Sequence, residues 1–134
     1  MIGELTIKTA GQGMIEFTQD VQNWLSEQSQ RDGLCTLFVQ HTSCSLIIQE
    51  NADPSAQRDL EQWMNRLVPE NDSLYTHTHE GPDDMPAHIK AALTATSIAI
   101  PVNNKSLMLG TWQGIFLWEH RNNSTSRQIA LHFS

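Results

Sequence analysis

The sequence predicts an α+β fold whose sheet is largely antiparallel. Helical and strand patterns are mixed along the chain, without the regular strand-helix alternation that produces a parallel sheet. Short segments rich in β-branched and aromatic residues recur, and brief polar turns join several of them. At 134 residues the chain fits one domain, residues 1–134, which is long enough to bury a core without cross-links.

Two strands and a helix are predicted at the start of the chain. Apolar and polar residues alternate in residues 4–9, as in a half-buried strand, and residues 14–17 form a short second strand after a glycine turn. Thr18 can act as the N-cap of a first helix. The Arg-Asp-Gly turn at residues 31–33 marks the end of that helix.

Two further strands lead into a second helix. Residues 34–40 and 45–49 are rich in strand formers and flank a polar interruption. Asp53 before Pro54 is the arrangement of an N-cap followed by the first helical residue. Apolar residues at spacings of three and four predict a buried face on this helix: Ala56, Leu60, Trp63, Met64 and Leu67. Pro69 closes it.

The last third of the chain is predicted to be mostly strand. A helical turn runs from Pro86 through Ala92. Four strands follow, at residues 97–102, 106–109, 114–121 and 127–133, with a polar loop at 122–126 between the last two.

Composition excludes several classes of function. The formal net charge is −7 with only eight Lys and Arg, which argues against binding a nucleic-acid backbone. Apolar runs fall short of the roughly 18 residues of a membrane span, and the N-terminus lacks a leader pattern, so we expect a cytoplasmic protein. Two cysteines are too few for a disulfide framework, and both are expected to be reduced and buried.

The densest chemistry lies in residues 75–90, YTHTHEGPDDMPAHIK. This segment holds three of the six histidines. His77 and His88, together with His41 at the end of a strand, could supply three nitrogens to a zinc-like ion, although solvated loop histidines are the alternative. Glu80 could orient an imidazole or act as an acid or base. For Asp84 we favour a helix-capping role, because it lies just ahead of the predicted helix start.

Two other segments carry isolated candidates. Glu119 alternates with apolar residues and therefore points to a buried face, where it needs either a partner such as Arg127 or Arg121 or a chemical role. The run GTWQG, residues 110–114, could present backbone amides to a phosphate, although a strand bulge explains it equally well.

Three motifs together, HTSCSLIIQENADP, HTHEGPDDMPAHIK and LGTWQGIFLWEHR, resemble those of the YjbQ-like family of small bacterial and archaeal proteins, to which secondary thiamine-phosphate synthase activity is attributed. The resemblance covers residues 34–127. It implies a barrel-like, mainly antiparallel sheet with two or three helices, a homotrimer, and a polar pocket that holds a divalent metal ion, with zinc as the candidate.

The resemblance also assigns roles to residues. It implies that the metal ligands are His41, His77 and His88. It gives the remaining polar positions of the family pattern, which we take as the catalytic candidates, to Asn51, Asp53, Glu80 and Glu119. His79 falls outside the pattern and is expected to be peripheral. The implied reaction joins a pyrimidine diphosphate to a thiazole phosphate, and the lack of a Lys- or Arg-rich clamp for phosphate suggests that this is a side activity.

Two alternatives stay open on the sequence. A metal-dependent hydrolase or lyase could act on another small phosphorylated or carboxylated compound, with Glu80 or Glu119 carrying the proton. A trimeric protein that binds a metal or a small anion without turnover would use the same histidines.

Overall fold

The structure, a computed structural model, describes residues 1–134. The elements, in chain order, are β1 (Ile2–Ala10), β2 (Gly13–Glu16), α1 (Thr18–Ser26), β3 (Gly33–Val39), β4 (Cys44–Glu50), α2 (Pro54–Leu67), α3 (Asp84–Leu93), β5 (Ser97–Asn103), β6 (Ser106–Leu107), β7 (Gln113–Glu119) and β8 (Ser124–Phe133). All pairings between strands are antiparallel, which confirms the predicted α+β class. None of the three helices has the length and apolar character needed to cross a membrane.

The strands form two sheets, in the orders β1-β8-β3-β5-β6 and β2-β7-β4. The main core lies between them, because its buried cluster draws side chains from both sheets and from α1. In β3, Cys35, Leu37 and Val39 alternate inward, as the sequence pattern predicts. In α1, Val21 and Leu25 are fully buried against the same core.

Strand β7 is buried on both faces. Ile115 and Leu117 point into the main core, whereas Trp118 packs with Met64 of α2 in a second, smaller cluster. A central strand covered on both sides loses the alternation of apolar and polar residues, which explains the nearly continuous apolar run of this segment. Glu119, the last residue of β7, is therefore held inside the protein.

The apolar face predicted for α2 is only partly correct. Met64 is buried and Leu60 packs beside it, but Trp63 and Leu67 are each 53% exposed. The helix lies outside the three-stranded sheet and contacts it along one narrow row of side chains. Periodicity shows that such a helix is amphipathic, but it does not show how wide the contacted stripe is.

The predictions of where the helices begin differ in accuracy. Asp53 caps α2 as predicted, since its Oδ1 accepts a hydrogen bond from Ser55 N at 2.9 Å. The prediction that Thr18 is an N-cap is wrong, because Phe17 occupies that position without a side-chain cap. Thr18 is the first helical residue, and its Oγ1 accepts from Ile115 N at 2.8 Å and so ties α1 to β7.

The polar loop predicted at residues 122–126 is shorter in the structure. Strand β8 begins at Ser124, because Ser124, Thr125 and Ser126 pair with the end of β1. Pairing with a distant strand, rather than local sequence, decides where this strand begins.

Both cysteines are free and fully buried, as predicted. Burial raises the pKa of the Cys35 thiol to about 11 and that of Cys44 to about 12. Because the thiolate is the reactive form, we expect neither thiol of the folded protein to react rapidly with a disulfide reagent at pH 8, and both to react at once in denaturant. Spectrophotometric thiol titration measures this, and fast labelling of the folded protein would contradict the burial.

Candidate metal centre

Helix α3 and the loop before it bring His77, Asp84 and His88 together. Asp84 and His88 are one helical turn apart and share a face of α3. The Nε2 atoms of His77 and His88 lie 2.7 and 3.2 Å from the same oxygen, Oδ2 of Asp84. The three potential ligand atoms all lie within 4.8 Å of one another. This is the only such group of histidine, cysteine or carboxylate side chains in the structure.

Arg121, just beyond β7, fixes the carboxylate of this cluster. Its Nη1 donates to Asp84 Oδ1 at 2.6 Å and its Nε donates to Asp83 Oδ2 at 2.9 Å. Its Nη2 donates to the backbone carbonyl of Glu80 at 2.8 Å. One guanidinium thus holds both aspartates and the preceding loop, and leaves Asp84 Oδ2 directed at the two imidazoles. Orientation of a ligand by a hydrogen-bonded neighbour is common at metal sites.

The prediction that Asp84 caps the helix is wrong. Asp83 occupies the N-cap position without a side-chain cap, and Asp84 is the first residue of α3. Asp84 is 2% exposed. Its Oδ1 bonds to Arg121, and its Oδ2 faces the two histidines. The sequence carried a signal for this role, since an aspartate four residues before a histidine shares a helical face with it. Recognising it required knowing that the helix begins before Pro86.

The hydrogen bonds of His88 indicate what the cluster needs. Nδ1 lies 3.1 Å from the carbonyl oxygen of Thr42, and the geometry assigns the proton to this nitrogen. A neutral imidazole then presents a lone pair on Nε2, which faces the carboxylate oxygen of Asp84. Two acceptors at this distance require a proton or a cation between them. The donor set therefore fits a divalent ion, which would take two imidazole nitrogens and one carboxylate oxygen.

His41 lies near the cluster but outside it. Its Nε2 accepts a hydrogen bond from Gln128 N at 2.8 Å. Burial, followed by the positive charge of Arg127, lowers the pKa of His41 and favours the neutral form that can accept this bond. Its ring borders a cavity of about 240 Å³ that His88 also borders. Of the three histidines implied as ligands, the structure brings together His77 and His88 and adds Asp84.

The carboxylates and the amide predicted from the resemblance are dispersed. Glu80 is exposed in the loop beside the cluster, and its carboxylate has no hydrogen-bond partner. Asn51 donates to Glu16 Oε2 at 3.0 Å, and Asp53 caps α2. Both lie beyond the far end of β4 from Thr42, and a seven-residue strand separates its ends by about 20 Å. Within this chain they are therefore remote from the histidines.

Glu119 has a structural set of partners. It is fully buried, and its oxygens accept hydrogen bonds from Arg127, from Thr9 Oγ1 at 2.8 Å and from the backbone N of His120 at 3.0 Å. The Arg127 guanidinium also donates to Ser43 Oγ at 2.9 Å. The pairing of Glu119 with Arg127 is one of the alternatives that the sequence left open.

A cavity of about 370 Å³ adjoins the cluster. Its eight lining residues are Asn71, Asp72, Tyr75, His77, Thr78, Gly81, Pro82 and Met85. Gly81 has a φ of 106°, a left-handed conformation that glycine adopts without strain, and it turns the chain back toward Asp83. The cavity contains no lysine or arginine, and His77 forms its border with the cluster. Of the three clustered residues, His77 is therefore the one that a small molecule in the cavity would contact.

Asp83 and Asp84 are expected to make the protein less stable at acid pH. Burial alone would raise the pKa of Asp83 and of Asp84, but bonds from Arg121 to Asp83, and from His77 and Arg121 to Asp84, outweigh it and lower both pKa values below 3.8. Their ionised forms stabilise the fold above the unfolded pKa, and this contribution is lost as the pH falls through the folded pKa values. We expect the free energy of unfolding to decrease as the pH is lowered below about 4.

Urea titrations across this range measure the effect. The D83N variant should show a shallower dependence on pH than the wild type. Asp59, an exposed carboxylate on α2, provides the control, since D59N should leave the slope unchanged. Equal slopes for the wild type and D83N would contradict the assignment.

Comparison with known proteins agrees with the resemblance. Residues 3–134 match the family described as UPF0047 protein YjbQ-like. The UPF0047 protein sll1880 of Synechocystis is 51% identical over 130 residues, which are 97% of this chain and 88% of that protein. The UPF0047 protein YjbQ of Escherichia coli O157:H7 is 42% identical over 126 residues, 93% of this chain and 91% of that protein.

Solved structures share the fold. The conserved hypothetical protein TT1486 of Thermus thermophilus is 32% identical, with a TM-score of 0.89 over 98% of this chain and 99% of that one. A YjbQ/UPF0047 protein of Clostridium acetobutylicum is also 32% identical, with a TM-score of 0.90 over 98% of each chain. On the match across nearly its whole length, the chain belongs to the UPF0047 family of YjbQ-like proteins.

Proposed function

We propose that this protein is a metal-dependent enzyme whose divalent ion, with zinc as the candidate, is bound by His77, Asp84 and His88. The observation that carries the proposal is the convergence of two imidazole nitrogens and one carboxylate oxygen within 4.8 Å. Two histidines and a carboxylate are a ligand set of catalytic zinc sites, which keep a position open for water or substrate. A bound ion of this kind supplies Lewis acidity and an activated water.

The residues around the ligands have separate tasks. Arg121 positions Asp84 and stabilises its charge. Thr42 O fixes the proton of His88 on Nδ1 and leaves Nε2 for the ion. Glu80 is the proton carrier that we propose, because its carboxylate is unpaired while Arg121 anchors its backbone. His41 would have to leave Gln128 to use Nε2 as a ligand, so Asp84 replaces it in the proposed set.

The cavity favours one small substrate over two. A volume of about 370 Å³ is at the lower end for ligand sites, and its lining has no lysine or arginine to hold a diphosphate and a second phosphate. The cavity thus favours a single small phosphorylated or carboxylated metabolite, on which the proposed ion would assist hydrolysis or elimination. Thiamine-phosphate formation, the reaction implied by the family resemblance, is retained in the proposal as a side activity.

We also propose the homotrimer that the resemblance implies. Ile2, Leu34 and Phe38 are exposed on the outer face of the five-stranded sheet, and apolar side chains on one face favour a subunit contact. A neighbouring subunit would also offer a route by which Asn51 and Asp53 approach the histidine cluster. Light scattering coupled to size exclusion tests the assembly, and a monomer at micromolar concentration would overturn it.

The function is tested with protein purified from cells that lack other thiamine-phosphate synthases. Chelator-stripped protein is reconstituted with zinc, manganese or magnesium and screened against phosphate esters, carboxylated metabolites, and the pyrimidine diphosphate plus thiazole phosphate pair. We expect turnover of a single substrate that depends on the metal and exceeds the rate of thiamine-phosphate formation.

Matched histidine variants locate the activity. H88A should lose both bound metal and turnover, whereas H79A, which changes an exposed histidine of the same loop, should keep both. Metal binding without turnover of any compound would overturn the enzymatic proposal and leave a binding protein. Thiamine-phosphate formation as the fastest reaction would overturn the preference for a single substrate.

A further inference from the structure

Lys90 lies on the face of α3 turned away from the histidine cluster. It follows His88 by two residues, a rotation of about 200° around a helix of 3.6 residues per turn. The side chain is buried, with the whole residue only 3% exposed. Its Nζ donates to Asn65 Oδ1 at 2.5 Å, and no carboxylate oxygen lies within 4.0 Å of it. An ammonium group has three donor hydrogens, so this buried cation has one identified partner.

A cavity of about 310 Å³ opens beside this ammonium group. Its lining is mainly polar and consists of Gln12, Asn65, Val68, Pro69, Glu70, Lys90 and Asn122. Glu70 places a carboxylate in the same cavity, and its Oε2 accepts a hydrogen bond from Asn122 Nδ2 at 3.2 Å. The cavity thus holds one positive and one negative group that do not touch, each bound to a neutral amide of the wall.

Lys90 and Glu70 line one cavity but do not form the direct ion pair that would be expected of a purely structural role. Isolated burial of a charged amine is costly, and direct contact with Glu70 would offset that cost. Instead Lys90 is hydrogen-bonded to Asn65 and Glu70 to Asn122, and both charged residues line the same open cavity. The amides leave each charged group with unused hydrogen-bonding capacity.

We propose that this cavity is a second ligand site, which binds a small zwitterion such as an α-amino acid. The ligand's carboxylate would accept hydrogen bonds from Lys90, and its ammonium group would donate to Glu70. Asn65, Asn122 and Gln12 provide further donors and acceptors for a polar side chain. A simple anion fits less well because Glu70 repels it, and a polyanion fits less well because the protein carries a net charge of −7.

The test uses the intact protein and each common L-amino acid in turn. Binding is followed by calorimetry and by chemical-shift changes of the side-chain amides of Asn65 and Asn122. We expect at least one amino acid to bind and to shift both amides. Its N-acetyl derivative, which lacks the ammonium group, and its α-amide, which lacks the carboxylate, should each bind at least about tenfold more weakly.

Variants assign the two ends of the ligand. K90M keeps the length of the apolar stem and should weaken amino-acid binding at least about tenfold. E70Q should remove the preference for the amino acid over its N-acetyl derivative. K8M, a lysine on the exposed side of β1, should bind as the wild type does. Metal content should be unchanged in K90M, which separates this site from the proposed metal centre.

Three results would overturn the proposal. These are absence of binding by every amino acid, equal binding of the N-acetyl derivative, and unchanged binding by folded K90M. The comparison of ligand derivatives needs only the wild-type protein, so the test survives even if K90M fails to fold.

Discussion

The D84N protein is expected to lose at least about a hundredfold in affinity for zinc, because the substitution removes a charged ligand while keeping the side chain's size. Asparagine would still reach Arg121 and the histidines, but its neutral amide is a weaker ligand than a carboxylate and leaves the Arg121 charge less well neutralised. Calorimetric titration of chelator-stripped protein, together with metal analysis of the purified variant, measures the loss.

D83N is the matched control for this experiment. Asp83 also binds Arg121, and Asp83 Oδ2 accepts a hydrogen bond from the backbone N of Asn122 at 2.8 Å. Asp83 is not among the three converging groups. We expect D83N to retain stoichiometric metal with a smaller loss of affinity. Metal binding that survives in D84N, or that falls equally in both variants, would contradict the assignment of Asp84 as a ligand.

The second large effect concerns stability. R127M is expected to lower the free energy of unfolding by about 3–5 kcal/mol, because it leaves Glu119 charged, buried and without its main partner. E119Q should also destabilise, since it leaves the Arg127 guanidinium largely buried with a neutral acceptor. Denaturant unfolding followed by tryptophan fluorescence measures both values.

The double variant E119Q/R127M tests whether the two residues act as a pair. Removing both charges should destabilise less than the sum of the single changes, which a double-mutant cycle reports as a coupling energy. The same variants address a catalytic role for Glu119. If folded E119Q retained wild-type stability but lost turnover with full metal content, Glu119 would be catalytic and the structural assignment would be wrong.

The local sequence pattern was sufficient to predict most of the helices and strands. The alternation in β3 and the Asp53–Pro54 start of α2 depend on neighbouring residues, and both are confirmed. The division into two sheets depends on contacts between distant segments. The early start of β8 likewise follows from pairing with β1, which no local window contains.

The residues of the candidate site were harder to predict from the sequence than the fold was, because their contacts join distant segments. The histidines stand out by residue type, but the spacing of Asp84 and His88 indicates a shared helical face only once the start of α3 is known. Asp84 is adjacent to another aspartate, and either could cap a helix. Arg121, 37 positions later, determines that Asp84 faces the imidazoles. A contact of that kind is set by how the segment after β7 is placed relative to the start of α3.

Glu119 and Arg121 connect the interior to the candidate site through two consecutive peptide groups. Glu119 Oε2 accepts hydrogen bonds from the backbone N of His120 and of Arg121, while the Arg121 side chain binds Asp83 and Asp84 at the start of α3. Amide protons at these two positions should consequently exchange with deuterium only when the whole domain opens. The proposed metal centre would then retain its shape until global unfolding, and heating should release bound metal and melt the protein in a single cooperative step.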